Sequence, residues 1–324
     1  MSRGDIIGGA AVPLTDALPW ETSGPTSSRT FLVNDSIGAD GRFLLYTLAS
    51  QVVSSSKPVV GRVIWLACGP ITESQVLQGL KKIGCDKTVI SQAKLRTNSS
   101  SPNATTTSSD TQEPSLTVLS CAEEMSEKLK SNTEESTGAE FSEQAYLKQL
   151  YQDIQMWIQA KTSPDSSTTN QWIIVDDVSA LASLLGERLV HSFLLALSSK
   201  SHQQKFGLMI RCSNDFEQES LPTLAGSSVA GPDWFGAGGL FKENPSPAAI
   251  PWERSLIEIA DGVMDVLPLS SGYTRELHGK IVLTQIPQGR GWSDQEGASR
   301  KKRTSPMQTI NYCITDNKIV AYVL

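Results

Sequence analysis

The chain has few of the residues that specialise a protein. Among its 324 residues are five cysteines (Cys68, Cys85, Cys121, Cys212 and Cys313), an odd number with no two at metal-ligand spacing. Neither a disulfide framework nor a zinc ribbon is expected from them. Histidine occurs only three times, at His191, His202 and His278, away from any cysteine or carboxylate cluster, which reads as satisfied or exposed side chains and not as ligands. No apolar run approaches the roughly 20 residues that cross a bilayer, and the first thirty residues lack a basic start followed by an apolar stretch. The reading is a soluble protein of a reducing compartment, without membrane contact, in which the glycosylation-like patterns at Asn98 and Asn103 carry no meaning. No serine, cysteine or lysine is framed as a nucleophile. Lysine and arginine (28) are outnumbered by aspartate and glutamate (34), a formal charge of −6. That field excludes a protein that coats nucleic acid or an anionic membrane with its whole surface, so any such contact must be local.

What is present is 39% hydrophobic residues, gathered in discrete blocks that build a core once much of the length is left out as loops. Residues 1–29, rich in Gly, Pro, Ser and Thr, are expected to form a flexible N-terminal arm. Residues 30–324 form a single domain with inserts at about 94–115, 213–250 and 287–305. The first insert is mostly Ser, Thr and Asn, the second carries the glycine cluster 236–239, and the third is basic at its end. Residues 122–143, acidic and without a clear apolar stripe, read as a solvated segment.

Between the inserts, short apolar runs alternate with helical periodicity. Phe31–Val33, Val63–Ala67, Leu116–Ser120, Trp172–Val175 and Phe206–Arg211 have strand length. Helical spacing follows at Leu44, Leu45, Leu48 and Val52; at Val76, Leu77, Leu80 and Ile83 behind a Thr72–Gln75 capping box; at Leu147, Leu150, Tyr151 and Ile154 behind Ser142; and at Leu189, Val190, Phe193, Leu194 and Leu197. Continuous apolar strands alternating with helices indicate an α/β fold, a mostly parallel sheet covered on both faces. In the last third, Ser255–Ile259, Gly262–Leu267, Lys280–Ile286, Thr309–Ile314 and Lys318–Val323 follow one another as antiparallel strands at the C-terminal edge.

A sheet in this order resembles the RecA-like nucleotide-binding core, where the first strand is followed by G-x-x-x-x-G-K-[ST]: backbone N–H groups meet the phosphates, the lysine neutralises charge and the hydroxyl holds magnesium. Here the turn is degenerate. Ser36 replaces the first glycine, Gly38 and Gly41 remain, Arg42 stands for the lysine, Phe43 for the hydroxyl, and Asp40 adds negative charge. Arg42 can still pair with a phosphate; the alternative is an ordinary strand-to-helix turn closed by the two glycines. The second landmark, Trp172–Asp177 (WIIVDD), is an apolar strand ending in acids. Asp176 at such a place holds magnesium in ATPases, or one of the two acids caps the next helix. The concentrated positive charge lies at Arg290, Arg300, Lys301, Lys302 and Arg303. It reads as a loop gripping a phosphate backbone, a solvated loop or a nuclear import signal.

Three segments, Trp172–Gly186 (WIIVDDVSALASLLG), Gly272–Ile281 (GYTRELHGKI) and the closing AYVL at 321–324, resemble the sixth subunit of the Elongator complex, over most of residues 31–324. The chain departs from shorter members in its Ser/Thr-rich insert and in the length of residues 213–250. The resemblance implies a RecA-like domain without working nucleotide motifs and without a cofactor. It implies assembly with Elongator subunits four and five into a hexameric ring that joins the catalytic subunits, binds tRNA and supports modification of its wobble uridine, in cytoplasm and nucleus. The alternatives are an ATPase with a nucleotide site shared between subunits, and a plain scaffold linked to transcription elongation.

Overall fold

The computed structural model describes residues 11–18, 20, 29–35, 38–54, 61–85, 87–92, 94–95, 116–134, 142–159, 170–213, 252–269, 272, 274, 277–286, 307–315 and 318–323. In chain order the elements are β1 (Ala11–Pro13), α1 (Leu14–Ala17), β2 (Thr30–Asp35), α2 (Arg42–Val53), β3 (Arg62–Ala67), α3 (Glu73–Lys82), α4 (Lys87–Gln92), β4 (Lys94–Leu95) and β5 (Leu116–Ser120). They continue with α5 (Cys121–Glu134), α6 (Glu143–Gln159), β6 (Gln171–Asp176), α7 (Val178–Leu185), α8 (Glu187–Gln204), β7 (Gly207–Ser213), α9 (Trp252–Glu258), β8 (Gly262–Leu267), β9 (Gly279–Gln285), β10 (Met307–Thr315) and β11 (Lys318–Val323).

Among the described residues the strands make one sheet, ordered β1-β11-β10-β9-β8-β2-β7-β6-β3-β5-β4. From β8 to β4 every neighbouring pair is parallel. Antiparallel strands β9, β10, β11 and β1 extend the β8 side. This is the expected α/β class: a mostly parallel core between helices with antiparallel additions at the C-terminal edge. Every residue of β2, β3 and β6 is buried, as strands covered on both faces must be. Phe31, Val33, Trp65 and Ile174 pack beneath α1 to α4; Leu32, Ile64, Ile173 and Val175 pack beneath α5 to α9.

The helices start where the local chemistry directs. At α3 the Gln75 N–H donates to Thr72 Oγ1 (3.4 Å) and the Thr72 N–H to Gln75 Oε1 (2.9 Å), so two otherwise unpaired donors are satisfied together. Gly84, at φ 85°, follows the end of that helix. Ser142 accepts from the Ala145 N–H at 3.3 Å and opens α6, which buries Tyr146, Leu147, Leu150, Ile154 and Ile158. No helix among the described residues is long and apolar enough to cross a membrane.

Four expectations are corrected. Part of the expected arm is built into the domain: β1 pairs with β11, and Leu14, Leu18 and Trp20 are buried. These few large apolar residues suffice because they cap the core layer beneath α2, where the Trp20 indole N–H donates to Gln51 Oε1. Residues 121–134 are helical; Cys121 and Met125, one turn apart, reach the core, and Glu123 and Glu124 suit the positive end of the helix. Ser255–Ile259 is not a strand but lies at the end of α9. Trp252, Leu256 and Ile259 fall at i, i+4 and i+7 and pack on the same layer, a period that the shorter window conceals. Finally β8 is parallel to β2, so the antiparallel extension begins only at β9. The inserts lie outside the described residues apart from Lys94, Leu95 and Ser213, which belong to strands.

Candidate functional site

The carboxyl ends of parallel strands are where α/β sheets place their ligands, and here β2, β7 and β6 lie side by side. The register pairs Val33 with Arg211 and Val175 with Ile210. With a side-chain period of two, Asp35, Arg211 and Asp176 therefore emerge on one face, beneath α2. The Arg211 guanidinium lies between the two acids: Nε donates to Asp176 Oδ1 and Nη1 to Asp35 Oδ2, each at 2.6 Å, with Asp177 Oδ2 3.6 Å from Nη2. All three central side chains are buried, Asp176 completely.

The degenerate turn closes over this cluster. The Gly41 N–H, the kind of donor a phosphate would take, donates at 2.9 Å to Asp35 Oδ2. Arg42 Nε stands 3.3 Å from Asp176 Oδ2, and the Arg42 N–H donates to Asp40 Oδ1 at 2.9 Å. A Cβ on Gly41 would lie 2.9 Å from Val33 Cγ1 and 3.2 Å from Asp35 Cβ, so the close approach of turn and strand requires glycine. Gly38 supplies a left-handed φ of 90°. Phe43, at the place of the magnesium-binding hydroxyl, is buried and packs against the Tyr312 ring with centroids 4.6 Å apart. Phe43 is part of the core.

Electrostatics follow from burial. Desolvation pushes the Asp35 carboxyl above its usual range, against the pull of Arg211 and the Gly41 N–H. For Arg211 burial acts downward, but Asp176 and Asp35 hold its guanidinium above its usual value, permanently charged. Four carboxylates (Asp35, Asp40, Asp176, Asp177) face two guanidiniums, which leaves negative charge in excess where a polyphosphate would sit. Buried Asp35 Oδ1 and Asp176 Oδ2 accept no hydrogen bond. The arrangement is therefore an internal ion-pair lattice that closes this end of the sheet with the chain's own side chains.

Of the residues singled out in the sequence, Gly41, Arg42 and Asp176 meet here; Gly38 lies exposed in the turn before them, and Ser36 lies outside the described residues. The two acids divide their roles. Asp177, at φ 65°, accepts from the Ala180 N–H at 3.3 Å and caps α7, while Asp176 joins the lattice. Arg290, Arg300, Lys301, Lys302 and Arg303 lie outside the described residues, as does Arg275. His278 Nδ1 accepts from the Ile314 N–H at 3.0 Å. Among the described residues no group of three or more His, Cys, Asp or Glu is arranged to hold a metal. Sequence reasoning missed Arg211 and Asp35 as partners. The available signal was an arginine inside a run expected to be covered on both faces, since such a charge needs a counter-charge.

No protein-family model matches the chain, and no curated protein matches it. Among solved structures it is similar to a KaiC-like protein of the hyperthermophilic archaeon Pyrococcus horikoshii, at 10% identity over 91% of this chain and 89% of that one, with a TM-score of 0.48. A likeness so distant carries nothing about function.

Proposed function

We propose that the chain is a noncatalytic, RecA-like ring subunit of Elongator, the sixth. In this reading it assembles with the fourth and fifth subunits into a hexamer of two copies each, binds tRNA, and supports wobble-uridine modification by the catalytic subunits, in cytoplasm and nucleus. The observation that carries the noncatalytic part is the buried Asp35–Arg211–Asp176 lattice with Gly41 donating into it. A nucleotide would have to displace protein carboxylates from the turn and lacks both a lysine and a metal-binding hydroxyl to replace them.

The test is co-expression with the fourth and fifth subunits, followed by native mass measurement, ATP turnover and tRNA binding. The expected result is a hexamer whose turnover is unchanged by Arg42→Ala. Replacing Arg300, Lys301, Lys302 and Arg303 by alanine is expected to weaken tRNA binding and lower its salt slope by about one per lost phosphate contact. Absence of co-assembly, or tRNA affinity and salt dependence unaffected by those four substitutions, would overturn the respective part. A shared-site ATPase is the second reading, favoured by Arg42, whose side chain is 25% exposed and whose Nε makes no hydrogen bond. Loss of turnover in Arg42→Ala selects it.

A further inference from the structure

Cys68 and Cys121 are the first residues beyond β3 and β5, whose parallel register ends at the pair Ala67 and Ser120. One residue on, Cys68 leaves β3 and Cys121 opens α5, so the two cysteines follow adjacent strand ends. Neighbouring strands lie about 4.8 Å apart, inside the window of about 4.4–6.8 Å between Cα atoms that a disulfide spans. Both side chains point into the same layer, under α6 to α8, and both are wholly buried. The Cys68 thiol donates to the Leu66 carbonyl at 3.7 Å and is influenced by the Cys121 thiol. The backbone on each side is held as well: the Cys68 N–H donates to the Asp176 carbonyl at 3.0 Å, and the Tyr146 hydroxyl donates to the Cys121 carbonyl at 3.4 Å. Cys85 lies instead against Ser54, and Cys212 against Ser179.

We infer that Cys68 and Cys121 close a reversible disulfide when the protein meets a peroxide, fastening the carboxyl ends of β3 and β5 beside the carboxylates of the candidate site. One thiol, as thiolate, attacks a peroxide oxygen; the O–O bond breaks, and a sulfenic acid and one water form. The second thiol attacks that sulfur and releases the second water. Two S–H bonds and one O–O bond are lost, one S–S bond and two O–H bonds are gained, and hydrogen peroxide takes up the two electrons. A dithiol reductant reverses the step by exchange.

Interaction with the Cys121 thiol, and then burial, push the Cys68 thiol well above its ordinary range. Thiolate is therefore scarce in the closed state, and oxidation proceeds from local openings of the strand ends. The bond would act on the site through Gly69, which packs so closely on Asp177 that a Cβ there would lie 2.4 Å from Oδ2. It would also close a loop containing α3, α4, β4 and β5 and so restrict the unfolded chain.

The full-length protein is incubated in native buffer with hydrogen peroxide, alkylated and digested without reductant. The expected result is a linked peptide pair joining Cys68 to Cys121, with the loss of two hydrogens from the intact mass, reversal by dithiothreitol and a higher urea midpoint than the reduced form. Cys68→Ser and Cys121→Ser abolish the link and Cys85→Ser retains it. Wild-type protein in which both thiols remain alkylable after unfolding, or in which a cysteine gains oxygen without a partner, or in which another pair joins, overturns the inference whatever the variants do.

Discussion

Replacing Arg211 by Met preserves the length of the buried stem and removes the fork that both Asp35 and Asp176 accept from at 2.6 Å. The acids that remain are 4% and 0% exposed, so solvent does not replace what is lost. Removing one partner of such a lattice costs about 3–5 kcal/mol, a large share of the roughly 5–15 kcal/mol that holds a domain together. The direction of its pH dependence is fixed by Asp35. Because burial raises its native pKa above the usual 3.8, the native state binds that proton more readily than the unfolded chain. The stability this contributes is fully present below 3.8 and is lost as pH rises through the higher native value. Without Arg211 the native value climbs further, so the deficit of the variant is smallest in acid and grows toward neutrality. Urea unfolding at several pH values, with m unchanged, measures it. Adding Asp35→Asn and Asp176→Asn to Arg211→Met is expected to restore part of the loss, since the buried charges go with their partner. A deficit below about 1 kcal/mol at neutral pH, the range of solvated surface pairs, or one indifferent to pH, would refute the claim that the sheet end is sealed by this lattice.

Two further substitutions probe the closure and the corrected N-terminus. Gly41→Ala forces a Cβ against Val33 Cγ1 at 2.9 Å and Val266 Cγ2 at 3.3 Å, an overpacking expected to lower stability by about 1–3 kcal/mol in urea unfolding. A neutral result would mean that turn and strand can separate freely. Leu14→Ala deletes a side chain that is 1% exposed and is expected to cost about 2–5 kcal/mol. A change within about 0.5 kcal/mol would return residues 11–20 to the status of a loose arm.

The parallel core was legible in the sequence because its strands are continuous apolar runs and its helices carry caps that work through near neighbours. Thr72 and Gln75 bond to one another, and Ser142 bonds three residues on. The features that escaped depend on distant partners. Leu14 and Trp20 look unremarkable within a Gly/Pro/Ser/Thr-rich stretch until β11, some 300 residues later, offers an edge for β1. The reading of Ser255–Ile259 as a strand failed because five residues cannot distinguish a period of 2 from one of 3.6. At the site, Gly41, Arg42 and Asp176 were found because a motif frame pointed to them. Arg211 belongs to no motif. Its meaning arises from β7 being interposed between β2 and β6, a fact of topology that no local window contains.

The lattice also explains why the turn has glycine at position 41. A helix N-terminus carries partial positive charge and unpaired N–H groups, and something anionic must meet them. In this chain the Asp35 carboxylate does so through the Gly41 N–H, and the same carboxylate is held by Arg211, which in turn holds Asp176, which faces Arg42 at the start of α2. The interactions run in a circuit from β2 through β7 and β6 to α2 and back. Alanine at Gly41 breaks it sterically, although the φ of −76° there would suit any residue. Glycine is kept here for closeness and not for conformational freedom, and closeness serves an intramolecular carboxylate as well as it serves a phosphate. An entering polyphosphate would compete with a counter-ion tethered by the fold itself, at high effective concentration. That competition, more than the missing lysine alone, is what the proposed noncatalytic reading rests on.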